Sequence, residues 1–211
     1  MQLYDYYRSS CSYRVRIALE IKQLDYDIVS IDLTQDAQHT PSYQARNPQR
    51  LVPTLVDQNQ SLTQSLAIIE YLNECYPTPP LLPDSLFERA KVRALGLIVA
   101  CDMHPLNNLR VLNTLRHDWD ADEGQVLQWY HQWLEEGFGA IEQQLAAYQR
   151  KQLFCYADHV TLADICLVPQ VYNAKRFEFP LEKYPLIQAI STHCNTLPAF
   201  INAYPKQNDT Q

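Results

Sequence analysis

Glycine is scarce in this chain. Among 211 residues there are 4 (Gly96, Gly124, Gly137 and Gly139), and none precedes position 96. A dinucleotide-binding fingerprint and a phosphate-binding P-loop both need glycines at a strand–helix turn, so neither exists in the first 95 residues. The six histidines, His39, His104, His117, His131, His159 and His193, show no HxH or HExxH spacing, and no metal site is expected. The six cysteines, Cys11, Cys75, Cys101, Cys155, Cys166 and Cys194, form no CxxC pair and no small-domain framework. That usage points to a reducing compartment. No apolar run approaches a membrane span, and Met1-Gln2-Leu3-Tyr4-Asp5 lacks the basic and apolar regions of a signal peptide. A cytoplasmic location is the expectation. Positive charge is also scarce, with a formal net charge of −7. Nucleic acid and anionic membranes are therefore poor partners, and an anionic ligand would need arginines gathered locally.

What the chain does have is core material, with 46% hydrophobic residues, well clear of a disordered composition. Gln2 to Tyr7 reads as a short aromatic strand. Residues 11–23 carry Cys11, Val15, Ala18 and Leu19 at helical spacing, with Ile17, Ile21 and Leu24 on an adjoining stripe, so this helix should be covered on two sides. Tyr26 to Leu33 reads as a second strand, and strand–helix–strand predicts a right-handed parallel crossover. Leu51 to Val56 is a further strand, Asp57 to Gln60 a polar turn, and Ser61-Leu62 a returning strand. Ser65 to Tyr76 reads as a helix with Leu66, Ile69, Leu72 and Tyr76 inward. The order βαβ then ββα is that of a thioredoxin-like α/β domain, expected over residues 1–80.

Pro77-Thr78-Pro79-Pro80-Leu81-Leu82-Pro83 can be neither helix nor central strand and reads as a linker. An all-α helical bundle is expected over 85–211. Ser85 to Glu88 and Thr161 to Asp164 match the capping-box pattern. A long helix should break at Pro105. Asp122 to Tyr148 carries Val126, Trp129, Tyr130, Trp133, Ile141 and Leu145 in helical phase as core. An apolar helix should run from the second box through Val171, with shorter helices after Leu181 and Leu197. The cysteines other than Cys11 read as buried small residues.

Ser9-Ser10-Cys11 stands at the seam between the first strand and the first helix. The simplest role for a serine there is a helix N-cap, but the unpaired N–H groups and partial positive charge of a helix start also suit an anion. Pro53 enters a strand and removes a ladder donor. Ser65 stands at another helix start, where a carboxylate could be gripped. Asn107-Asn108, a pair within the apolar helix that breaks at Pro105, suggests a polar pocket. Arg176 lies at the end of its helix, where a cation suits the dipole and could fork onto a carboxylate.

The string SSCSYRVRIAL (residues 9–19) resembles the signature of the zeta-class glutathione transferases, and the resemblance extends over essentially the whole chain. That family usually has tryptophan or histidine where Tyr13 stands. The resemblance implies the glutathione transferase fold and glutathione as cofactor. It implies that Ser9 holds the glutathione thiolate, with Ser10 and Cys11 beside it. Val52, before a cis Pro53, would pair with the cysteinyl backbone. Gln64 and Ser65 would hold the γ-glutamyl end, and Gln38 or His39 the glycyl end. His104, Asn108 and Arg110 would face the cleft; animal members have glutamine and serine in place of His104 and Arg110. Arg8, Arg110 and Arg176 would bind a dianionic substrate. The implied reaction is cis–trans isomerisation of maleylacetoacetate in tyrosine and phenylalanine breakdown. Maleylpyruvate, conjugation of α-haloacids and a non-catalytic binding role are the alternatives. A homodimer is also implied.

Overall fold

The computed structural model describes residues 1–148 and 153–206; parts of the expected 85–211 domain (149–152 and 207–211) lie outside the described residues. The chain divides into two compact units. One contains Met1–Pro80 with the described residues from Leu197 onward, and the other is Leu81–Thr196.

The first unit is built on four strands, β1 (Gln2–Asp5), β2 (Asp27–Ser30), β3 (Thr54–Asp57) and β4 (Gln60–Thr63). Their order is β2-β1-β3-β4. β1 runs parallel to β2, as the strand–helix–strand pattern predicts, and antiparallel to β3, with β4 antiparallel to β3. The central pairs are Leu3↔Ile28, Leu3↔Leu55 and Leu55↔Leu62. Tyr4 and Val56 pack on one face with Ile31 and Tyr43, so Leu3 and Leu55, one residue away, face the other side. β2 is shorter than the run Tyr26–Leu33. The Asp32 carboxylate accepts from Thr34 N–H at 2.9 Å and from its hydroxyl at 2.7 Å. This side-chain competition turns the chain into short 3₁₀ turns at Leu33–Gln35 and Ala37–His39. β3 starts three residues later than Leu51, beyond Pro53, which cannot donate to the ladder. The β3–β4 hairpin turns on Gln58 and Asn59, both at positive φ, the two-residue geometry that follows strand twist. With no glycine to hand, this unit also puts Gln23, Asp36, Arg50 and Gln64 at positive φ.

Helix α1 (Ser10–Ile21) is buried on nearly every side: Ser12, Tyr13, Arg14, Val15, Arg16, Ile17, Ala18 and Leu19 are all inaccessible. The short α2 (Pro41–Gln44) follows the 3₁₀ turns, and α3 (Ser65–Cys75) follows β4. α3 turns Ile68, Ile69 and Leu72 inward; Leu66 is only half-buried, and Tyr76 lies exposed beyond the helix end, contrary to the expected stripe. The second wall on α1 comes from the far end of the sequence, because α1 packs against both α3 and α9 (Pro198–Ala203). The helix expected after Leu197 therefore forms, but as part of the first unit. Tyr13 Oη donates to Phe200 O at 3.5 Å and Arg16 Nε to Ala203 O at 3.0 Å. The start of the proline linker is tied down too: Lys22 Nζ, at the end of α1, donates to Pro79 O at 2.6 Å.

The second unit is helical: α4 (Leu86–Leu97), α5 (Leu109–His117), α6 (Glu123–Ala147), α7 (Leu162–Arg176) and α8 (Pro185–Cys194). α4 leaves α-helical form well before Pro105. It continues as a π-helical turn over Ile98–Met103, a local widening common near functional groups. Met103 is fully buried, and a Cβ on Gly137 would overlap its side chain; the glycine lets α6 approach this turn. The box expected at Ser85 does not close: Ser85 caps α4 without a side-chain bond, and Glu88 accepts from Tyr156 Oη at 3.2 Å instead. The box at Thr161 does close. α7 runs past Val171 to Arg176 with Pro169 inside it. Trp129 and Trp133 are half-buried rather than core, and meet edge to face at 5.5 Å. Cys155, Cys166 and Cys194 are buried as expected, whereas Cys75 and Cys101 are exposed.

Candidate active site

Strand register places three loops at one end of the first unit's sheet. Tyr4 pairs with Thr54, and Thr54 with Thr63. The chain leaving β1, the chain entering β3 and the chain leaving β4 therefore lie side by side. They carry Ser9-Ser10-Cys11, Val52-Pro53 and Gln64-Ser65.

The first loop is anchored from below. Arg16 Nη1 donates to both Asp5 carboxylate oxygens at 2.6 and 2.7 Å, and Nη2 to Tyr7 O at 3.1 Å. Burial pushes the Asp5 carboxyl up while Arg16 pulls it back. Ser9 is the N-cap of α1: its Oγ accepts from Ser12 N–H at 3.2 Å. A lone pair is thus engaged while the hydroxyl proton stays available for a second acceptor. Ser10 is buried and Cys11 half-buried. Arg8 is exposed, its guanidinium 5.2 Å from the Tyr7 ring centre.

The Val52–Pro53 bond is cis. A buried clamp holds both flanks of this dipeptide, and the sequence reading missed it. Tyr43 Oη and Asn47 Nδ2 both donate to Leu51 O, at 2.6 and 2.7 Å. Both also meet Thr54 Oγ1, at 3.0 and 3.2 Å. Burial raises the Tyr43 phenol above its usual range, keeping it a donor. The Val52 N–H and C=O themselves make no hydrogen bond among the described residues. The only sequence signal for the clamp is Asn47-Pro48, which reads as a turn.

At the third loop, Gln64 precedes α3 with φ 69° and ψ 113° and makes no side-chain cap. Its Nε2 donates to Gln49 Oε1 at 2.8 Å. This sparsely populated backbone conformation is held in place by its surroundings, and it leaves the first N–H groups of α3 without a capping side chain. Ser65 is buried, and its Oγ accepts from Arg14 Nη1 at 3.4 Å. Gln38 stands on the second 3₁₀ turn, its Nε2 donating to Asp36 at 3.2 Å; His39 beside it is exposed.

The helical unit holds the remaining candidates. His104 follows the π-helical turn, half-buried. Asn107-Asn108 does not lie inside a helix. Asn107 Nδ2 donates to Tyr130 O at 3.0 Å, and Asn108 caps α5 by accepting from Arg110 N–H at 3.1 Å. Trp129 Nε1 donates to Leu106 O at 3.0 Å. The same stretch of α6 reaches Arg176, because Tyr130 stacks on Phe177 at 3.9 Å and Arg176 lies 5.9 Å from the Phe177 ring. Arg110 and Arg176 are both exposed, and Arg176 Nη1 donates to Asn173 at 3.2 Å. Among the described residues, no group of three or more His, Cys, Asp or Glu is placed to hold a metal ion. No helix among them is long and apolar enough to cross a membrane.

Comparison with known proteins gives the family. A family model described as Glutathione S-transferase, N-terminal domain, matches residues 3–80. The maleylacetoacetate isomerase of Pseudomonas aeruginosa is 46% identical over 214 residues, covering 100% of this chain and 99% of that protein. The holo structure of a bacterial zeta-class maleylpyruvate isomerase superposes with a TM-score of 0.97 at 44% identity, covering 100% of both chains. A maleylacetoacetate isomerase from Methylobacterium extorquens, solved with bound malonate and glutathione, gives a TM-score of 0.95 at 34% identity, again covering 100% of both. The chain belongs to the glutathione transferases and, within them, to the zeta class.

Proposed function

We propose that this protein is a glutathione-dependent cis–trans isomerase acting on maleylacetoacetate, a step in tyrosine and phenylalanine breakdown. The observation that carries the reading is the trio of loops at one sheet end: a hydroxyl with a free proton at Ser9, an unpaired peptide edge at Val52, and an uncapped helix start at Ser65. These residues suit an extended peptide with an anion at each working end. The α3 N–H groups and Ser65 would take its α-carboxylate. The Val52 N–H and C=O would pair with its backbone as a strand edge does. Gln64 and Gln38 would meet its γ-glutamyl and glycyl ends.

Glutathione, when bound, supplies a nucleophilic sulfur whose reversible addition frees a cis double bond to rotate. A free thiol with pKa about 8.5 is a few per cent ionised at neutral pH. The Ser9 hydroxyl and the first N–H groups of α1 would favour the anion by hydrogen bonding and by the helix field. Ser10 and Cys11 stand at the same helix start. Arg8, Arg110 and Arg176 would hold the two carboxylates of the diacid and favour enolate charge as it develops, with His104 and Asn108 beside them. In this reading the protein works in the cytoplasm as a homodimer. The bacterial-type Arg110 also suits the shorter diacid maleylpyruvate, the second reading. Turnover of both diacids, with and without glutathione, tests the proposal. Glutathione-dependent isomerisation of maleylacetoacetate at the higher kcat/KM supports it. Preference for maleylpyruvate installs the second reading, and inactivity toward both refutes the isomerase.

A further inference from the structure

We propose that Arg14 is the buried charge that positions the glutathione α-carboxylate at the start of α3, acting through Ser65; the identity of this ligand rests on the reading above. Arg14 is 1% exposed and heads the fully buried large side chains. Nη1 makes one long hydrogen bond, to Ser65 Oγ at 3.4 Å. Nε and Nη2 are shielded from water and have no acceptor, and the side chain makes no ion pair among the described residues.

Arg16, two residues along the same helix and 5% exposed, is the internal control. Its guanidinium reaches both Asp5 oxygens, Tyr7 O and Ala203 O, all within 3.1 Å. The same side chain at similar depth is thus fully partnered at one position and left with open donors at the other. A guanidinium cannot shed its charge, and a buried charge without a partner is unfavourable. At Ser65 this cation meets a second positive feature, the uncapped start of α3. Two like charges converge on one hydroxyl, and an anion on the α3 start balances both. Because Ser65 Oγ accepts from Arg14, its own proton is left to donate to that anion. Arg14 thereby orients the hydroxyl and supplies a field that water cannot screen. It is a positioning residue, since it need not touch the ligand.

The test compares wild type, Arg14→Met and Arg14→Lys by calorimetric titration and by thermal unfolding without ligand. The two titrants are glutathione and an analogue in which the γ-glutamyl α-carboxylate is replaced by hydrogen. Arg14→Met should weaken glutathione at least about tenfold and bind the analogue as wild type does. Its unliganded Tm should hold or rise, because an uncompensated charge has gone. Arg14→Lys, which keeps the charge, should recover part of the lost affinity. Arg14→Met binding glutathione like wild type, or a loss equal for both titrants, overturns the proposal. If Arg14→Met fails to fold, Arg14→Lys decides: a lowered glutathione affinity with unchanged analogue binding supports the role, and equal changes overturn it. A wild type that binds neither titrant overturns the glutathione reading itself, with the ligand named here.

Discussion

The starts of α7 and α3 use similar residues to opposite ends. At α7, Asp164 is wholly inaccessible and its carboxylate accepts from Thr161 N–H at 2.8 Å, Thr161 Oγ1 at 2.8 Å and Cys155 N–H at 2.7 Å. Burial raises the Asp164 carboxyl, and these donors oppose the rise. At α3 no side chain caps the helix, Gln64 is held at positive φ, and Arg14 has open donors. A helix start closed by a buried capping box holds the fold together. One whose donors are left open, in a rigid surround, is free to bind.

Four measurements bear on that contrast. The largest effect is expected at α7: Asp164→Ala should lower unfolding free energy by about 3 kcal/mol or more, by leaving three buried donors without an acceptor. Denaturant titration reads it, and the glutathione affinity of the folded fraction should be unchanged. Ser9→Ala should lower kcat by about a hundredfold while costing about 1 kcal/mol of stability for the lost α1 cap; kinetics and melting together separate the two roles. Ser65→Ala should raise the KM for glutathione by about tenfold, with unfolding free energy lowered by about 1 kcal/mol for the long bond lost to Arg14. A large loss of stability with unchanged KM would make α3 a second α7 and end the contrast. The smallest effect belongs to the exposed start of α6, where Arg116 meets Glu123 at 2.6 Å. That hydrogen bond holds the Glu123 carboxyl below its ordinary value. Its small stabilisation is therefore present above the ordinary carboxylate range and lost as pH falls through the lowered folded value. Melting of Glu123→Gln should differ slightly from wild type at pH 7 and not at pH 2.

Local signals were legible in the sequence and long-range ones were not. Thr161 and Asp164 are three residues apart, and the Cys155 N–H that also reaches Asp164 takes its other oxygen, so pattern and structure agree. Ser85 and Glu88 show the same spacing, but Tyr156, 68 residues away, takes Glu88. The thioredoxin-like order is legible in the alternating apolar runs, the Ser9 loop in the signature, and the Val52 and Ser65 loops through what the resemblance implies. The sequence of Asn107-Asn108 suggests a polar pocket within a helix, whereas its amides serve a carbonyl on α6 and the start of α5. Arg14 and Arg16 sit in one string with nothing to tell them apart. Only the positions of Asp5, Tyr7 and Ala203 show that one is fully partnered while the other keeps open donors.

The packing of α9 on α1 also bears on synthesis. A ribosome delivers the strands, α1 and α3 early, yet the segment that takes the Arg16 and Tyr13 donors emerges more than a hundred residues later. Until then the nascent first unit lacks one wall and exposes greasy surface, so its maturation waits on the emergence of α9.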